Sequence, residues 1–143
     1  MARSTLADAN ARRPAVLYSD LFAHMAACAN RRIRRRMADA RRILDATRLE
    51  LTSLSGGWLN AMNGKRAIKL HIAHDPHAHA PVHAAISDQR VNDITPAKAM
   101  RIEPGMTYVF DLAYHSFDWW SELHANGRRF VSRLKRHTRA SCD

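Results

Sequence analysis

The segment Arg42-Ile43-Leu44-Asp45-Ala46-Thr47-Arg48-Leu49-Glu50-Leu51 decides the fold predicted for this chain. Apolar and polar side chains alternate along it, which is the period-two pattern of a half-buried β-strand. The pattern puts Asp45 on the same face as Ile43, Thr47 and Leu49. A carboxylate on the apolar face of a strand is costly to desolvate unless a cation or hydrogen-bond donor meets it. Asp45 is therefore the first candidate functional residue.

A second strand-like segment, Thr107-Tyr108-Val109-Phe110-Asp111-Leu112-Ala113-Tyr114, places Asp111 66 residues after Asp45. Each aspartate could simply cap the turn that follows its strand, because Asp side chains accept hydrogen bonds from nearby backbone amides. The other interpretation is a shared metal site, because carboxylates are the ligands that hard divalent cations prefer. The sequence leaves both interpretations open.

The composition favours a globular domain with an anionic partner. The 143 residues include 23 Lys and Arg against 13 Asp and Glu, for a formal net charge of +10, and 46% are hydrophobic. This length is typical of one domain and permits a core. The excess of cations indicates a polyanion such as DNA, since neutralised phosphates release condensed counterions. The alternative is an arginine-rich surface without a partner.

Two features of the sequence concern the cellular compartment. Cys28 and Cys142 are isolated and share no motif spacing, which predicts no disulfide framework and a reducing environment. No apolar run approaches the length needed to cross a bilayer, and the first residues lack the apolar core of a signal peptide. We therefore expect a cytoplasmic protein without a membrane partner.

Helices are predicted before the Asp45 strand. Residues 4–12 form a short helical turn with Ser4 as its cap, and Pro14 then suits the first turn of a longer helix. Residues spaced for one face of that helix predict a stripe packed in the core: Leu17, Leu21, Phe22 and Met25. Five arginines in seven residues follow, and they form either a DNA-phosphate contact or a solvated helix face: Arg31, Arg32, Arg34, Arg35 and Arg36.

Further strands and helices are predicted after the Asp45 strand. Strands over roughly 66–74 and 82–87 complete an antiparallel meander of three. Thr95 is the predicted N-cap of a short helix, with Pro96 in the first helical position. This helix makes a crossover, so the Asp111 strand should lie parallel to the first strand. Both aspartates would then meet at one region of the sheet.

The end of the chain contains one more helix and one more strand. The helix covers 116–126, with Phe117, Trp120 and Leu123 along one stripe and Gly127 after its last turn. The strand covers 128–134. Trp119 and Trp120 could stack on DNA bases, but helical spacing favours Trp120 as a core residue.

Histidines cluster around the predicted second and third strands: His71, His74, His77, His79 and His83. A structural zinc site needs ligands that converge from fixed positions, commonly with Cys, and no Cys is near. A metal site in this cluster is therefore not favoured. His71 either approaches the face of the site or is a hydrogen-bonded histidine of the sheet.

Several blocks in this order resemble consecutive blocks of bacterial insertion-sequence transposases of the IS-four type: residues 3–10, 43–47, 69–71, 91–95, 108–114 and 130–135. The resemblance implies an α/β fold of the RNase H type, with three antiparallel strands followed by parallel strands and flanking helices. It also implies an Asp, Asp, Glu triad that holds Mg²⁺ or Mn²⁺ for cutting and joining DNA. By motif, Asp45 is the first catalytic and metal-binding aspartate and Asp111 is the second.

The chain departs from the family pattern in two ways. Leu112 and Ala113 stand where Arg and Gly are commoner, and the third acid normally lies on a helix well beyond the strand at Phe130. Neither Glu103 nor Glu122 occupies that third position. The resemblance therefore implies an incomplete catalytic domain over 41–135, after a helical segment over 1–40 that is basic at its end and before a basic tail over 136–143.

The function predicted from these observations is that of a DNA-binding transposase fragment, inactive on its own in phosphodiester cleavage and strand transfer. Its partners would be DNA and another transposase chain, with Mg²⁺ or Mn²⁺ used in the complete enzyme. Predicted DNA contacts are the five arginines of 31–36 together with Lys135 and Arg136. The alternatives are a non-catalytic basic DNA-binding module and a decayed remnant that does not fold stably.

Overall fold

The computed structural model describes residues 8–9, 11–33, 41–51, 66–136 and 138. Five strands form one sheet: β1 (Arg41–Leu51), β2 (Arg66–Asp75), β3 (Ala80–Asp88), β4 (Thr107–Phe110) and β5 (Arg129–Ser132). Three helices whose bounds lie within the described residues accompany it: α1 (Ala15–Ile33), α2 (Ile94–Ala99) and α3 (Phe117–Ala125). A 3₁₀ turn over Leu112–Tyr114 follows β4.

The strand order is β3-β2-β1-β4-β5, and the sheet is mixed. β2 is antiparallel to both β1 and β3, whereas β4 is parallel to both β1 and β5. A four-residue turn joins β2 to β3, which suits an antiparallel pair, and the longer connection through α2 allows β4 to run parallel to β1. The predicted mixed α/β sheet, including the parallel placement of the Asp111 strand, is confirmed.

The core lies on the sheet face that α2 and α3 cover. Leu44 of β1 is opposite Ala73 of β2, and both are buried there. Aromatic side chains from β4, the 3₁₀ turn and α3 fill the rest: Tyr108, Phe110, Tyr114, Trp119 and Trp120. Because successive side chains of a strand alternate in direction, this packing turns the neighbours of Leu44 to the other face.

The prediction that Ile43, Asp45 and Leu49 occupy the buried side of β1 is therefore wrong. Ile43 is 39% exposed and Leu49 is 41% exposed, while Asp45 is also exposed. The physical reason is that the core helices pack on the face of Leu44. Apolar side chains of the other strands are exposed as well, among them Ile86 of β3 and Val131 of β5.

The predicted core stripe of α1 is also wrong for three of its members. Leu17, Leu21 and Met25 are each more than half exposed, whereas Phe22 is half-buried and Ala26 is buried. Small alanines on this second side of the helix face β3. A groove of about 780 Å³ separates the two elements. The proposed Ser4 cap lies outside the described residues.

The start of α2 differs from the sequence prediction by two residues. Asp93 is the N-cap, and Thr95 lies within the helix. The turn begins early because the Thr95 amide donates to the Asn92 carbonyl at 2.9 Å. Pro96 remains acceptable there, since the first turn of a helix does not require its missing N–H.

The α3 segment follows its prediction more closely. Gly127 after the helix has φ of +68°, which confirms the predicted left-handed residue. Trp120 is buried, as predicted, and Trp119 is buried too, whereas Phe117 is 58% exposed. Within the described residues, no helix is both long and apolar enough to span a membrane.

Candidate active site

Asp45 lies in the interior of β1, on the face away from α2 and α3. It is exposed and lies opposite Ile72 of β2 in the antiparallel register. Asp45 is followed by six more strand residues, so it caps no turn. An exposed carboxylate in the middle of a strand has a fixed backbone and a side chain that solutes can reach.

Asp111 is the first residue after β4. Its backbone remains extended, with φ of −87° and ψ of −173°, and its side chain is exposed. Oδ1 accepts a hydrogen bond from the Ala113 amide at 2.9 Å and so caps the 3₁₀ turn. The turn-capping interpretation is thus confirmed for Asp111, and this bond fixes one of its two carboxylate oxygens.

The register of β1 and β4 relates the two aspartates. Ile43 pairs with Val109 in the parallel ladder, an offset of 66 residues that equals the separation of Asp45 from Asp111. The ladder ends at this pair, two residues before the aspartates, while the backbone of Asp111 stays extended. The same register, if continued, would set the aspartates on neighbouring strands about 4.8 Å apart, with side chains on the same face. The structure thus brings the two predicted site residues to one region of the sheet.

The charges of both aspartates act on the side chain of Tyr114. Burial raises the pKa of its hydroxyl well above the ordinary value, and the charges of Asp93, Asp45 and Asp111 raise it further. The side chain is only 3% exposed. A phenol in this setting stays protonated at neutral pH and serves as a hydrogen-bond donor.

A polar cluster lies beside Tyr114 on the core face. Lys69 Nζ donates to Asp93 Oδ1 at 2.8 Å and to the Val91 carbonyl at 2.9 Å. His71 forms a hydrogen bond with Ser87, 2.8 Å between Nε2 and Oγ. His71 is therefore the hydrogen-bonded sheet histidine of the second interpretation above. Burial lowers the pKa of His71. The negative charge of Asp93 raises this pKa, and the positive charge of Lys69 lowers it.

A buried ion pair near the start of β1 was not predicted. Arg42 Nη1 donates to Asp75 Oδ2 at 2.6 Å, and both side chains are almost fully buried. Glu103 approaches the same guanidinium at 3.7 Å. Oδ1 of Asp75 accepts from the amides of His77 and Ala78 in the β2–β3 turn. Alternation had put Arg42 on the side of β1 that was predicted to face solvent, so no local pattern indicated this pair.

The structure describes only part of the proposed DNA surface. Lys135 and Arg136 are exposed after β5. Arg31 and Arg32 belong to the last turn of α1, but their side chains lie outside the described part. The other three arginines of that cluster fall in residues 34–40, which are also outside it.

No third carboxylate joins the two aspartates within the described ranges, where no group of three His, Cys, Asp or Glu side chains could hold a metal ion. Glu103 is held by Arg42, and Glu122 is exposed on α3. Asp93 is close enough to affect Tyr114 but is bound by Lys69. Among the described residues, the strand register therefore relates two carboxylates, those of Asp45 and Asp111.

The sequence of the chain is similar to sequences of known transposases. The family model described as Transposase DDE domain matches residues 37–141. The chain is also 35% identical, over 130 residues, to “Putative transposase y4zB” of Sinorhizobium fredii (strain NBRC 101917 / NGR234). The match covers 91% of this chain but 36% of that protein, so the chain spans about a third of the relative's length. No solved structure is significantly similar. With its mixed α/β sheet of the RNase H type and a match over most of its length, the chain belongs to the DDE transposase family.

Proposed function

We propose that the chain takes part in DNA transposition and supplies two carboxylates, Asp45 and Asp111, to a metal-dependent site for phosphodiester cleavage and strand transfer. The observation that carries this proposal is the shared 66-residue offset, which relates the two aspartates across neighbouring parallel strands. Both side chains are exposed on one face, where DNA has access. These observations support Asp45 and Asp111 as two ligands that would hold one divalent ion.

The donor set fits Mg²⁺ or Mn²⁺. Carboxylate oxygens and water are the ligands that these hard ions prefer. The hydrogen bond from Ala113 holds Asp111 in one orientation, and the strand backbone holds Asp45. When bound, a divalent ion would stabilise the charge on the attacking and leaving oxygens of the phosphodiester. The part of the chain itself is to fix the two carboxylates beside the phosphate.

We further propose that this chain does not cleave DNA alone. Two carboxylates leave much of the coordination sphere and charge of a divalent ion unmet, and the described residues offer no third. A further carboxylate would come from another transposase segment or chain. The exposed apolar side chains on the same face, such as Ile43 and Val131, are consistent with a face that another segment covers.

DNA binding is proposed to use the basic residues at two places, the five arginines of 31–36 and the pair Lys135 and Arg136. The net charge of +10 supports attraction to phosphate. The helical segment over 1–40 and the basic tail over 136–143 would contribute DNA contacts. The catalytic domain over 41–135 would carry the sheet.

The cleavage experiment incubates the 143-residue chain with a DNA substrate and Mg²⁺ or Mn²⁺, alongside Asp45→Asn and Asp111→Asn. We expect no metal-dependent cleavage from any of the three proteins. Cleavage by the wild type that both variants lose would contradict the proposed inactivity and support the assignment of the two aspartates. Cleavage that neither variant affects would contradict the assignment itself.

The DNA-binding experiment compares the double variant Lys135→Ala/Arg136→Ala with Lys98→Ala/Arg101→Ala. All four side chains are exposed, but Lys98 and Arg101 lie in and just after α2, which packs on the core face of the sheet. Each phosphate contact contributes about 0.9 to the slope of log affinity against log salt. We expect the first pair of substitutions to reduce the slope by about 2 and the second pair to leave it unchanged. Equal slopes for both variants would show that Lys135 and Arg136 do not contact DNA phosphates.

A second candidate is a basic DNA-binding module without catalysis, which the two-carboxylate donor set favours over a complete enzyme. It predicts salt-dependent DNA binding with no effect of Mn²⁺ or of substitutions at Asp45 and Asp111. A decayed remnant predicts instead a molten state, with far-ultraviolet but no near-ultraviolet circular dichroism. The buried aromatic core around Trp119 and Trp120 supports a folded protein.

A further inference from the structure

The hydrogen bonds of His71 define its tautomer. The side chain is 5% exposed, and Nε2 lies 2.8 Å from Ser87 Oγ. The Ser87 hydroxyl donates its proton to the Asp88 carbonyl at 3.1 Å. Because a hydroxyl has a single proton, Oγ must accept from Nε2–H. Neutral His71 therefore carries an acceptor lone pair on Nδ1.

That Nδ1 atom is buried and has no hydrogen-bond partner among the described residues. It faces Asp93 Oδ1 at 4.0 Å, which is beyond hydrogen-bonding distance. Burial lowers the pKa of His71, so the ring is neutral at pH 7. Two acceptors thus face each other in a buried place, an arrangement that a donor between them would satisfy.

A cavity adjoins these two groups. Its volume is about 20 Å³, and its lining includes His71, Asp93 and Tyr114 as well as the apolar side chains of Leu44 and Ala97. One water molecule needs roughly 10–15 Å³ and two to four polar partners. The cavity therefore has the size and the polar lining for a single water.

We infer that this cavity binds one water molecule, which donates to His71 Nδ1 and to Asp93 and accepts from the Tyr114 hydroxyl. The water has two protons for the two acceptors and a lone pair for the phenol, so Nδ1 of His71, the one buried atom of this group without a partner among the described residues, gains one. It links β2 and the start of α2 to the 3₁₀ turn after β4.

This link makes Tyr114 a positioning residue for Asp111, a consequence that rests on the proposed metal site. Tyr114 ends the turn that Asp111 caps, and its amide donates to the Asp111 carbonyl at 3.3 Å. Holding the phenol therefore restrains the backbone and the carboxylate of Asp111. Direct hydrogen-bond partners of metal ligands typically change metal affinity by about 10- to 100-fold when they are removed. The Tyr114 hydroxyl acts one step further away, through the turn, so its effect should not exceed the low end of that range.

The water itself is tested by a high-resolution crystal structure of the full chain. We expect density for one water about 2.7–3.2 Å from both His71 Nδ1 and an Asp93 oxygen. A dry cavity would overturn the inference, and so would a ring orientation in which Nδ1 bonds directly to a protein atom.

The positioning role is tested by Mn²⁺ binding, followed by electron paramagnetic resonance. Tyr114→Phe removes the hydroxyl and keeps the ring, and Tyr108→Phe is the matched control. Tyr108 is 1% exposed in the same core, but its hydroxyl accepts from the Glu103 amide, next to Arg42 rather than Asp111. We expect Tyr114→Phe to weaken Mn²⁺ binding about tenfold and Tyr108→Phe to leave it unchanged.

Equal Mn²⁺ affinities for the two phenylalanine variants, with weaker binding in Asp45→Asn, would overturn the positioning role and leave the proposed metal site standing. Unchanged affinity in Asp45→Asn as well would overturn the metal site and the positioning role together. Urea unfolding of each variant checks that the fold persists. If Tyr114→Phe fails to fold, the crystal structure of the wild type still decides whether the water is present.

Discussion

Replacing Asp75 by Asn removes the negative charge from the buried ion pair that joins β1 to β2. The guanidinium of Arg42, 4% exposed as a side chain, would then keep Glu103 as a counter-charge, which is 3.7 Å away and partly solvated. Breaking a buried pair from one side typically costs about 3–5 kcal/mol, because the remaining charge loses its compensation. Since Glu103 still provides a partial counter-charge, we expect a loss of about 3 kcal/mol.

The Asp75→Asn side chain keeps an amide oxygen for the turn amides of His77 and Ala78, so this substitution changes only the contact with Arg42, where an NH2 donor replaces the carboxylate oxygen. Asp75→Ala also removes the oxygen that accepts both of these hydrogen bonds and should lose about 1–3 kcal/mol more, given about 0.5–1.5 kcal/mol for each hydrogen bond. Asp88→Asn is the control, because Asp88 caps the Arg90 amide in an exposed turn. Its loss should stay within about 0.5 kcal/mol.

The assay is urea unfolding, followed by the fluorescence of the buried Trp119 and Trp120. Burial by itself would raise the pKa of Asp75, but hydrogen bonds from the turn amides and the charge of Arg42 outweigh it and leave the pKa lowered. A lowered pKa contributes stability that is present above about pH 4, the unfolded value, and is lost as the pH falls further. The difference between wild type and Asp75→Asn should therefore shrink below about pH 4. A loss for Asp75→Asn no larger than that of Asp88→Asn at pH 7 would refute the reasoning.

Two further predictions concern pH and one concerns a turn. The pKa values of His71 and His83 are lowered in the folded chain, so the unfolded chain binds protons more readily. The free energy of unfolding should therefore fall as the pH drops below about 6.5. A free energy of unfolding that rises between pH 7 and pH 5 would contradict this. The raised pKa values of Tyr108 and Tyr114 contribute stability below about pH 10 that is lost at higher pH. Urea titrations at pH 9 and pH 11 should therefore show a loss for the wild type, and Tyr114→Phe should lose less over this interval. Gly127→Ala places a Cβ at φ of +68° with no neighbour within 4 Å, so its cost should be the backbone strain alone, about 1–2 kcal/mol; an unchanged urea midpoint would show that the turn relaxes.

Local patterns in the sequence predicted the strands and their directions well. Alternation around Asp45 and the crossover before Asp111 were enough to predict parallel neighbours, and the register then relates the two aspartates. Alternation alone could not say which face of β1 is buried, because Ile43 and Leu44 are equally apolar. The position of α2 and α3 on the side of Leu44 decides that question, and it depends on contacts distant in sequence.

Other features depend on tertiary contacts that no short pattern encodes. The outward stripe of α1 was predicted to be buried because large apolar residues were given more weight than the alanines that line the groove beside β3. The pair of Arg42 with Asp75 joins residues 33 apart, and the cluster of Lys69 with Asp93 joins residues 24 apart. Both clusters needed the strand register before they could be recognised.

Binding of Mn²⁺ to the full chain tests the central claim most directly, namely that Asp45 and Asp111 hold one divalent ion between neighbouring strands. Titration followed by electron paramagnetic resonance should show that Asp45→Asn and Asp111→Asn each weaken binding at least about tenfold. Asp118→Asn, on the exposed start of α3, should bind as the wild type does. Equal affinities for the wild type and all three variants would contradict the claim.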